Sequence, residues 1–368
     1  MNKSRRSKHP CPQVSHAIMA AAMAMPCLHA AHAENAPERG LLGYKYLDYQ
    51  DSQPGAERIS VKAHSLLLMA PVAEQWSIQA TATVDSVSGA SPQMWTLSGA
   101  SMHDKRRAAD IALTRYFPLD TLTAGASLSD ENDYTSKGLS LSGTHSSEDR
   151  NTTFTYGIGI NEDHITSQGL DKQKKSLDLV LGLTRVLSPR DIAQVTLGHT
   201  RGHGFYTDPY KLADFRPGEK SQSTLLARWN HHFEATEGTL RLSYRYYVDT
   251  WDIHAHSLGL EYIQPLGSGW TLMPLARLHD QTAAAFFIEP AGGVSHRPPY
   301  RSLDQRLSAF GARSIGLKAS KELDAAWTVD LKYEYYEQRG EWRLFGAGST
   351  GLEPFRARIF QFGLSRKL

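Results

Sequence analysis

Nine charged residues stand out by their spacing. Arg228, Arg241, Arg245 and Arg277 alternate with small or polar residues across about 220–282, and Asp178, Glu261, Asp330, Lys332 and Glu334 hold the same kind of alternate position. Alternate residues of an extended strand share one face. The arginines then form a basic stripe on one wall, and Asp330, Lys332 and Glu334 a mixed-charge stripe further round. Around a water-filled channel, a basic wall opposed by carboxylates creates a transverse field that selects solutes. The same groups paired with one another would instead close the interior. The sequence leaves both readings open.

Two other groups have reactive residue types. His254 and His256, two apart on a strand, could share a metal ion; elsewhere His199 and His203 flank a strand end, and His231 and His232 are adjacent. However, His254 and His256 share parity with Leu258, Leu260 and Tyr262, which makes them rim residues rather than ligands. Ser88-Gly89-Ala90-Ser91 recurs as Ser98-Gly99-Ala100-Ser101, followed by His103 and Asp104. With Asp85 these could be arranged for hydrolysis, but no strand–turn–helix context for a nucleophile surrounds them. No phosphate-binding loop, dinucleotide motif or calcium loop occurs. No catalytic residue, cofactor or metal is expected.

The elements that position these residues read as strands. Leu240, Leu242, Tyr244, Tyr246 and Val248 alternate with Thr239, Arg241, Ser243, Arg245 and Asp249; Trp327, Val329, Leu331 and Tyr333 alternate with Thr328, Asp330, Lys332 and Glu334. A helix would scatter such residues, whereas a strand gathers the apolar set on one side. Three features favour a membrane barrel over a soluble sandwich. The apolar faces often end in aromatics (Tyr44/Tyr46, Trp76, Tyr116/Phe117, Trp229/Phe233, Trp270, Trp327), the opposite faces carry charges mid-strand, and short turns alternate with more variable, often long connections. The expected fold is all-β, a transmembrane antiparallel up-and-down barrel of about 16 strands, with 14 or 18 also compatible. The spans are 41–50, 57–70, 75–86, 107–117, 120–131, 135–147, 151–163, 173–187, 191–202, 220–233, 238–250, 253–265, 269–282, 304–320, 326–339 and 354–368. Leu66-Leu67-Leu68 breaks the alternation of the second, and Arg313 interrupts the apolar face of the fourteenth.

Composition narrows the class. Of 368 residues, 40% are hydrophobic and none form a run of about 20 apolar residues, so helical membrane spans are excluded. Forty basic residues against 38 acidic ones give +2. Residues 1–33 read as a secretory signal: Lys3, Arg5, Arg6 and Lys8, a weakly apolar stretch from Val14 to Leu28, and Ala31-His32-Ala33 before Glu34. Removing this leader leaves 36 basic residues against 38 acidic ones, a net −2, which gives no support to nucleic-acid binding. Both cysteines, Cys11 and Cys27, lie in the leader, so residues 34–368, the expected barrel domain, contain no thiol.

The chain's end, Phe360-Gln361-Phe362-Gly363-Leu364-Ser365-Arg366-Lys367-Leu368, resembles the terminal signal read by barrel-assembly machinery, with Gln361, Gly363 and Leu368 matching and Arg366 standing where an apolar residue is usual. The strings Tyr46-Leu47-Asp48-Tyr49-Gln50-Asp51, Asp85 to Pro92, Ser147 to Thr153 and Arg228-Trp229-Asn230-His231-His232 are similar to those of a family of uncharacterised proteobacterial outer-membrane proteins, known only as a domain of unknown function. The resemblance implies a barrel in the outer membrane of Gram-negative bacteria and supplies no catalytic residues. The expected role is a porin-like pore or solute-binding channel. A plugged barrel that binds a partner is the alternative, and a barrel-mouth hydrolase a weaker one. Expected partners are outer-membrane lipids, the barrel-assembly machinery during insertion, and a small polar solute. Mass spectrometry of protein recovered from the membrane fraction should find Glu34 as the first residue; an intact residue 1–33 segment would remove the signal reading.

Overall fold

The structure is a computed structural model that describes residues 35–89, 102–211, 213–289 and 298–368. The leader (1–33), most of the Ser-rich loop and the His103 side chain lie outside the described residues. Sixteen strands follow one another: β1 (Leu41–Gln53), β2 (Ala56–Ala73), β3 (Trp76–Gly89), β4 (Met102–Tyr116), β5 (Asp120–Asp130), β6 (Tyr134–Ser146), β7 (Thr152–Ile165), β8 (Lys172–Ser188), β9 (Asp191–Gly204), β10 (Glu219–Phe233), β11 (Gly238–Asp249), β12 (His254–Gly267), β13 (Trp270–Gln281), β14 (Phe310–Glu322), β15 (Trp327–Arg339) and β16 (Phe355–Lys367). Each pairs antiparallel with its neighbours in sequence. β1 pairs with β16 from Leu41↔Lys367 to Ser52↔Arg356, so the ring closes without an edge. Closure is what allows strands to cross a membrane, because in hydrocarbon every unpaired backbone group costs several kcal/mol.

Side chains divide between two faces by parity. The outer face is apolar and uncovered: Ile160 is 53% exposed, Leu181 61% and Ile315 66%. A soluble protein hides such residues; here they form the lipid-contacting band of a transmembrane barrel. The three leucines that break the pattern of β2 fit this division, since Leu66 and Leu68 face out and Leu67 faces in. Arg313 is on the outer face, its guanidinium 4.4 Å from the centre of the Trp342 ring. Tyr116 departs from expectation: it faces inward, its hydroxyl 3.0 Å from Ser77 Oγ. The inner face is not uniformly polar either. Leu47, Tyr49, Ile59, Val61, Ala63 and Ala357 pack together on β1, β2 and β16, which gives the closing seam an apolar core.

Short turns collect at one end, where only two residues connect β2 to β3, β8 to β9 and β12 to β13. Gly267, Ser268 and Gly269 all have positive φ (81°, 48° and 75°), which a turn this tight requires. Pro71 and Pro265 stand beside register shifts next to these turns, where a missing N–H is tolerated. At the opposite end the connections 205–218, 282–309 and 340–354 are long. β14 begins at Phe310 and not at 304, because Asp304 accepts from Arg306 N and caps a 3-10 turn, Gln305–Leu307, leaving the preceding segment to the loop.

The 340–354 loop turns outward over β14. Gly311 lies under it so closely that a β-carbon would overlap the Trp342 carbonyl. Gly311→Val should therefore lift this loop and destabilise the barrel by about 1–3 kcal/mol. Thermal unfolding in detergent and proteolysis within 340–354 would both register the change; an unchanged midpoint with a protected loop would contradict the packing described.

Candidate functional site

The inner face of β10–β13 carries the basic wall. Arg228 pairs in register with Ser243, Ser243 with Gly259, and Gly259 with Arg277, so two arginines flank two small residues in one row across four strands. Arg245 stands two residues along β11 from Ser243, and Arg241 two residues the other way. Gly259 leaves room for the Ser243 hydroxyl, which a β-carbon would crowd. Arg241 Nη1 is 4.0 Å from Glu261 Oε2, a loose contact between two exposed groups. Arg228 Nη1 donates to Gln194 Oε1 at 3.2 Å. Arg228, Arg241, Arg245 and Arg277 are all exposed to the interior, and Glu261 is the carboxylate placed among them.

Across β14–β16 the charges are matched instead. Lys318 Nζ lies 3.1 Å from Asp330 Oδ1 and Lys332 Nζ 2.8 Å from Glu334 Oε2, with Lys45 of β1 buried beside them. Gly363 faces Asp330 so closely that any β-carbon would strike its carboxylate. Gln361 is buried on the same inner face, whereas Leu368 lies just beyond β16, its N–H donating to Gly40 O at 2.8 Å. Gly363 thus has a role in the wall itself, making room for an ion pair.

The wall from β3 to β8 has small side chains. Gln79, Thr81, Gly125, Ser127, Gly138, Ser140, Thr155, Gly157 and Gly159 line a hollow of about 520 Å³ with Asp110 and Asp178. Asp178 accepts from Thr200 Oγ1 at 2.6 Å and Asn161 Nδ2 at 3.4 Å. The basic and smooth walls therefore occupy different halves of the same interior.

The long-loop end holds a cluster that the sequence reading missed. Loops 205–218 and 282–309 pair through a bridge between Phe215 and Arg301, and a second bridge, between Phe287 and Ser302, folds the 282–309 loop on itself. At their centre Asp304, 3% exposed, contacts Lys211 Nζ at 2.7 Å, Arg216 Nη2 at 2.8 Å and Arg306 Nη2 at 2.5 Å. Arg216 also bonds Asp214, which accepts from Ser302 Oγ. Burial disfavours the charge on Asp304, but Arg306, Lys211 and Arg216 outweigh it and hold the carboxyl well below its usual range. Burial pushes Lys211 down, against the pull of Asp304 and Asp208. Beneath, Trp251, Ile253, Ala284 and Leu307 form an apolar cluster with Tyr206, Tyr247, Phe286 and Phe287. Tyr210 donates to Asp133 between β5 and β6, and Gln305 Oε1 accepts from Gln53 Nε2 beside the β1–β2 turn at 2.8 Å. The described parts of these loops thus reach from the β5–β6 connection to the β1–β2 turn, and we refer to this assembly at the mouth as the lid. Asp208 and Asp214 are visible in the sequence only as loop charges, while Asp304 and Arg306 fall in the strand expected at 304–320, so nothing connects the four.

The remaining candidates are dispersed. His254 and His256 lie on the outer face, bonded to Tyr246 and Tyr244 hydroxyls at 2.9 and 2.8 Å. His199 meets Ser223, His231 meets Asp191 and His232 meets Thr239. Asp85 is buried against Arg106 at 2.7 Å, while Asp104 accepts from Asn132 and from the Lys105 N–H.

No curated protein matches the sequence. Among solved structures, a bacterial polysaccharide outer membrane secretin aligns over 90% of this chain and 98% of its own at 9% identity, with a TM-score of 0.54. CdiB from Acinetobacter baumannii aligns over 88% and 60% at 7% identity, with a TM-score of 0.51. The siderophore receptor PirA from Pseudomonas aeruginosa aligns over 90% of this chain at 13% identity and a TM-score of 0.48, and the chain spans 64% of that receptor's length. At these identities the likeness is one of fold. Residues 96–173 and 166–359 match the family described as "Protein of unknown function (DUF3570)", and the chain belongs to that family of outer-membrane-type β-barrels.

Proposed function

We propose that this protein is an outer-membrane channel that passes or binds small polar solutes, with a preference for anions, beneath a folded lid. The observation that carries the reading is the imbalance on the β10–β13 wall, where, among the described residues, Arg228, Arg241, Arg245 and Arg277 have only the loose Arg241–Glu261 ion pair between them, and Asp249 on the same face is held by Lys220. An arginine row kept exposed in a low-dielectric tube concentrates negative ions and repels cations. The smooth β3–β8 wall supports the reading by leaving space for a solute beside the arginines. The mixed charges of Asp330, Lys332 and Glu334 are largely spent in local pairs, Asp330 with Lys318 and Lys332 with Glu334, and act mainly to shape the opposite wall. Export would use the residue 1–33 leader, and insertion the assembly machinery that recognises Gln361, Gly363 and Leu368. The Asp178 carboxylate, tied to Thr200 and Asn161, supplies the opposing end of the transverse field.

The lid favours a second reading, in which the mouth is closed and the loops bind a partner. Conductance separates the two. Refolded protein in planar bilayers should show ion channels with anion selectivity, and Arg245→Ala with Arg277→Ala should move the reversal potential toward cations while the barrel still folds. A fully silent bilayer would remove the channel and leave the plugged barrel.

The lid sets a pH dependence whose direction follows from Asp304. Its folded-state carboxyl is held below the ordinary value of 3.8. The stability it contributes is therefore fully present above that value and is lost as pH falls through the lower folded one. Conductance should hold steady from pH 7 to about 4 and rise only in stronger acid. Asp304→Asn, which leaves three cations facing a neutral amide, should show the acid behaviour at neutral pH and lower lid stability by roughly 3–5 kcal/mol. A variant with wild-type conductance and proteolysis of 205–218 would show that the lid does not depend on this ion cluster.

A further inference from the structure

We infer that the outer face at the short-turn end carries three sites for anionic phospholipid, each a basic side chain stacked on a tryptophan and available to a headgroup phosphate. Register builds all three. Trp76 opens β3 and pairs with Arg115 of β4, whose guanidinium lies 5.3 Å from the centre of the indole and 4.7 Å from that of Phe117. Trp270 opens β13 opposite Lys321 of β14, whose Nζ is 5.4 Å from the ring. Trp327 opens β15 opposite Arg366 of β16, at 5.3 Å. Each tryptophan is the first residue of its strand, and each cation sits at the paired position on the neighbour, so the three couples share one end and one face.

Their surroundings point to a lipid. Val72, Leu187, Leu266 and Leu323 are exposed at the same end, which carries the apolar surface down to the turns. Trp270 is 48% exposed within it. An indole belongs where hydrocarbon meets water, and a basic side chain can run its stem along that apolar surface with its charge at headgroup level. Stacking on the indole holds each cation in place without neutralising it. Lys321 Nζ also donates to the Ser268 carbonyl, which leaves two of its three N–H groups for a phosphate. Arg366 lies in the field of the Asp324 carboxylate, with which a phosphate must compete. The couples are spread over eight consecutive strands of the ring, from β13 round to β4. That spacing suits separate small ligands better than a single docked protein.

The inference rests on the membrane reading of the barrel, and its test reads the two separately. Wild-type protein is first offered phosphatidylcholine vesicles; failure to insert would overturn both. Native mass spectrometry then compares retention of phosphatidylglycerol and phosphatidylcholine supplied equally to the protein in detergent. Up to three phosphatidylglycerol molecules should be retained, each about fivefold more tightly than phosphatidylcholine, the size expected of one cation at a membrane surface. Arg115→Gln, Lys321→Gln and Arg366→Gln should each remove one, and the triple variant should bind both lipids alike, with heat-modifiable migration confirming that it folds. Arg115→Lys and Arg366→Lys should keep the preference. Equal retention of the two lipids by the wild type, or a folded triple variant that still prefers phosphatidylglycerol, would overturn the sites and leave the barrel's membrane residence untouched.

Discussion

The hydrogen-bonding demand of the backbone governs this molecule. A strand that crosses hydrocarbon must satisfy its N–H and C=O groups within the protein, and only a ring without edges does so for every strand. The β1–β16 pairing, continuous from Leu41↔Lys367 to Ser52↔Arg356, is therefore a condition for the other fifteen pairings to lie in a membrane. The apolar inner strip of Leu47, Tyr49, Val61, Ala63 and Ala357 is placed where this condition is met, stiffening the seam at which the two ends of the sheet join. Once the ring is closed, side-chain parity becomes a division between inside and outside. The register irregularities among the described residues, at Gln50/Ser52, Pro71/Ala73, Val186/Ser188 and Pro265/Gly267, fall near turns, where they disturb few pairs.

Within the ring, charge is handled in three different ways. On β14–β16 it is paired locally, Lys318 with Asp330 and Lys332 with Glu334, and Gly363 is small so that Asp330 can occupy its place. On β10–β13 it is left in excess, with Gly259 and Ser243 keeping the row between Arg228 and Arg277 low. In the lid it is buried outright, and there the geometry has to be complete: Asp304 has three cations because a buried carboxylate without them would be strongly disfavoured. The first arrangement shapes a wall, the second presents a field to solvent, and the third locks loops that have no ladder of their own.

The strand pattern was legible almost residue by residue, because in a membrane barrel each strand must satisfy the same two environments along its whole length. The span expected at 120–131 forms as Asp120–Asp130, and that at 238–250 as Gly238–Asp249. Legibility failed where a residue's environment depends on something outside its own strand. Tyr116 looks like a girdle aromatic but turns inward to Ser77. The segment at 304 reads as the start of an uneven strand, yet Asp304 is claimed by Lys211 and Arg216 from another loop and by its own 3-10 turn. Leu47 and Val61 sit on faces expected to be wet, and the apolar cluster they form with Tyr49, Ile59 and Ala63 is completed by Ala357 of β16, more than 290 residues away in sequence.

What the sequence by itself determined was the period of two, the approximate strand boundaries, the parity that sets Asp178, Arg228, Arg241, Arg245, Glu261, Arg277, Asp330, Lys332 and Glu334 opposite the apolar residues, and the alternation of short and long connections. These are local properties, written in residues a few positions apart. Only the tertiary structure decided which charges meet, because an ion pair depends on registers between strands and on loops that fold over the mouth. Asp304 and Lys211 are 93 positions apart, and no periodicity connects them. Their 2.7 Å contact exists because the closed ring brings the ends of β9, β10, β13 and β14 to one rim.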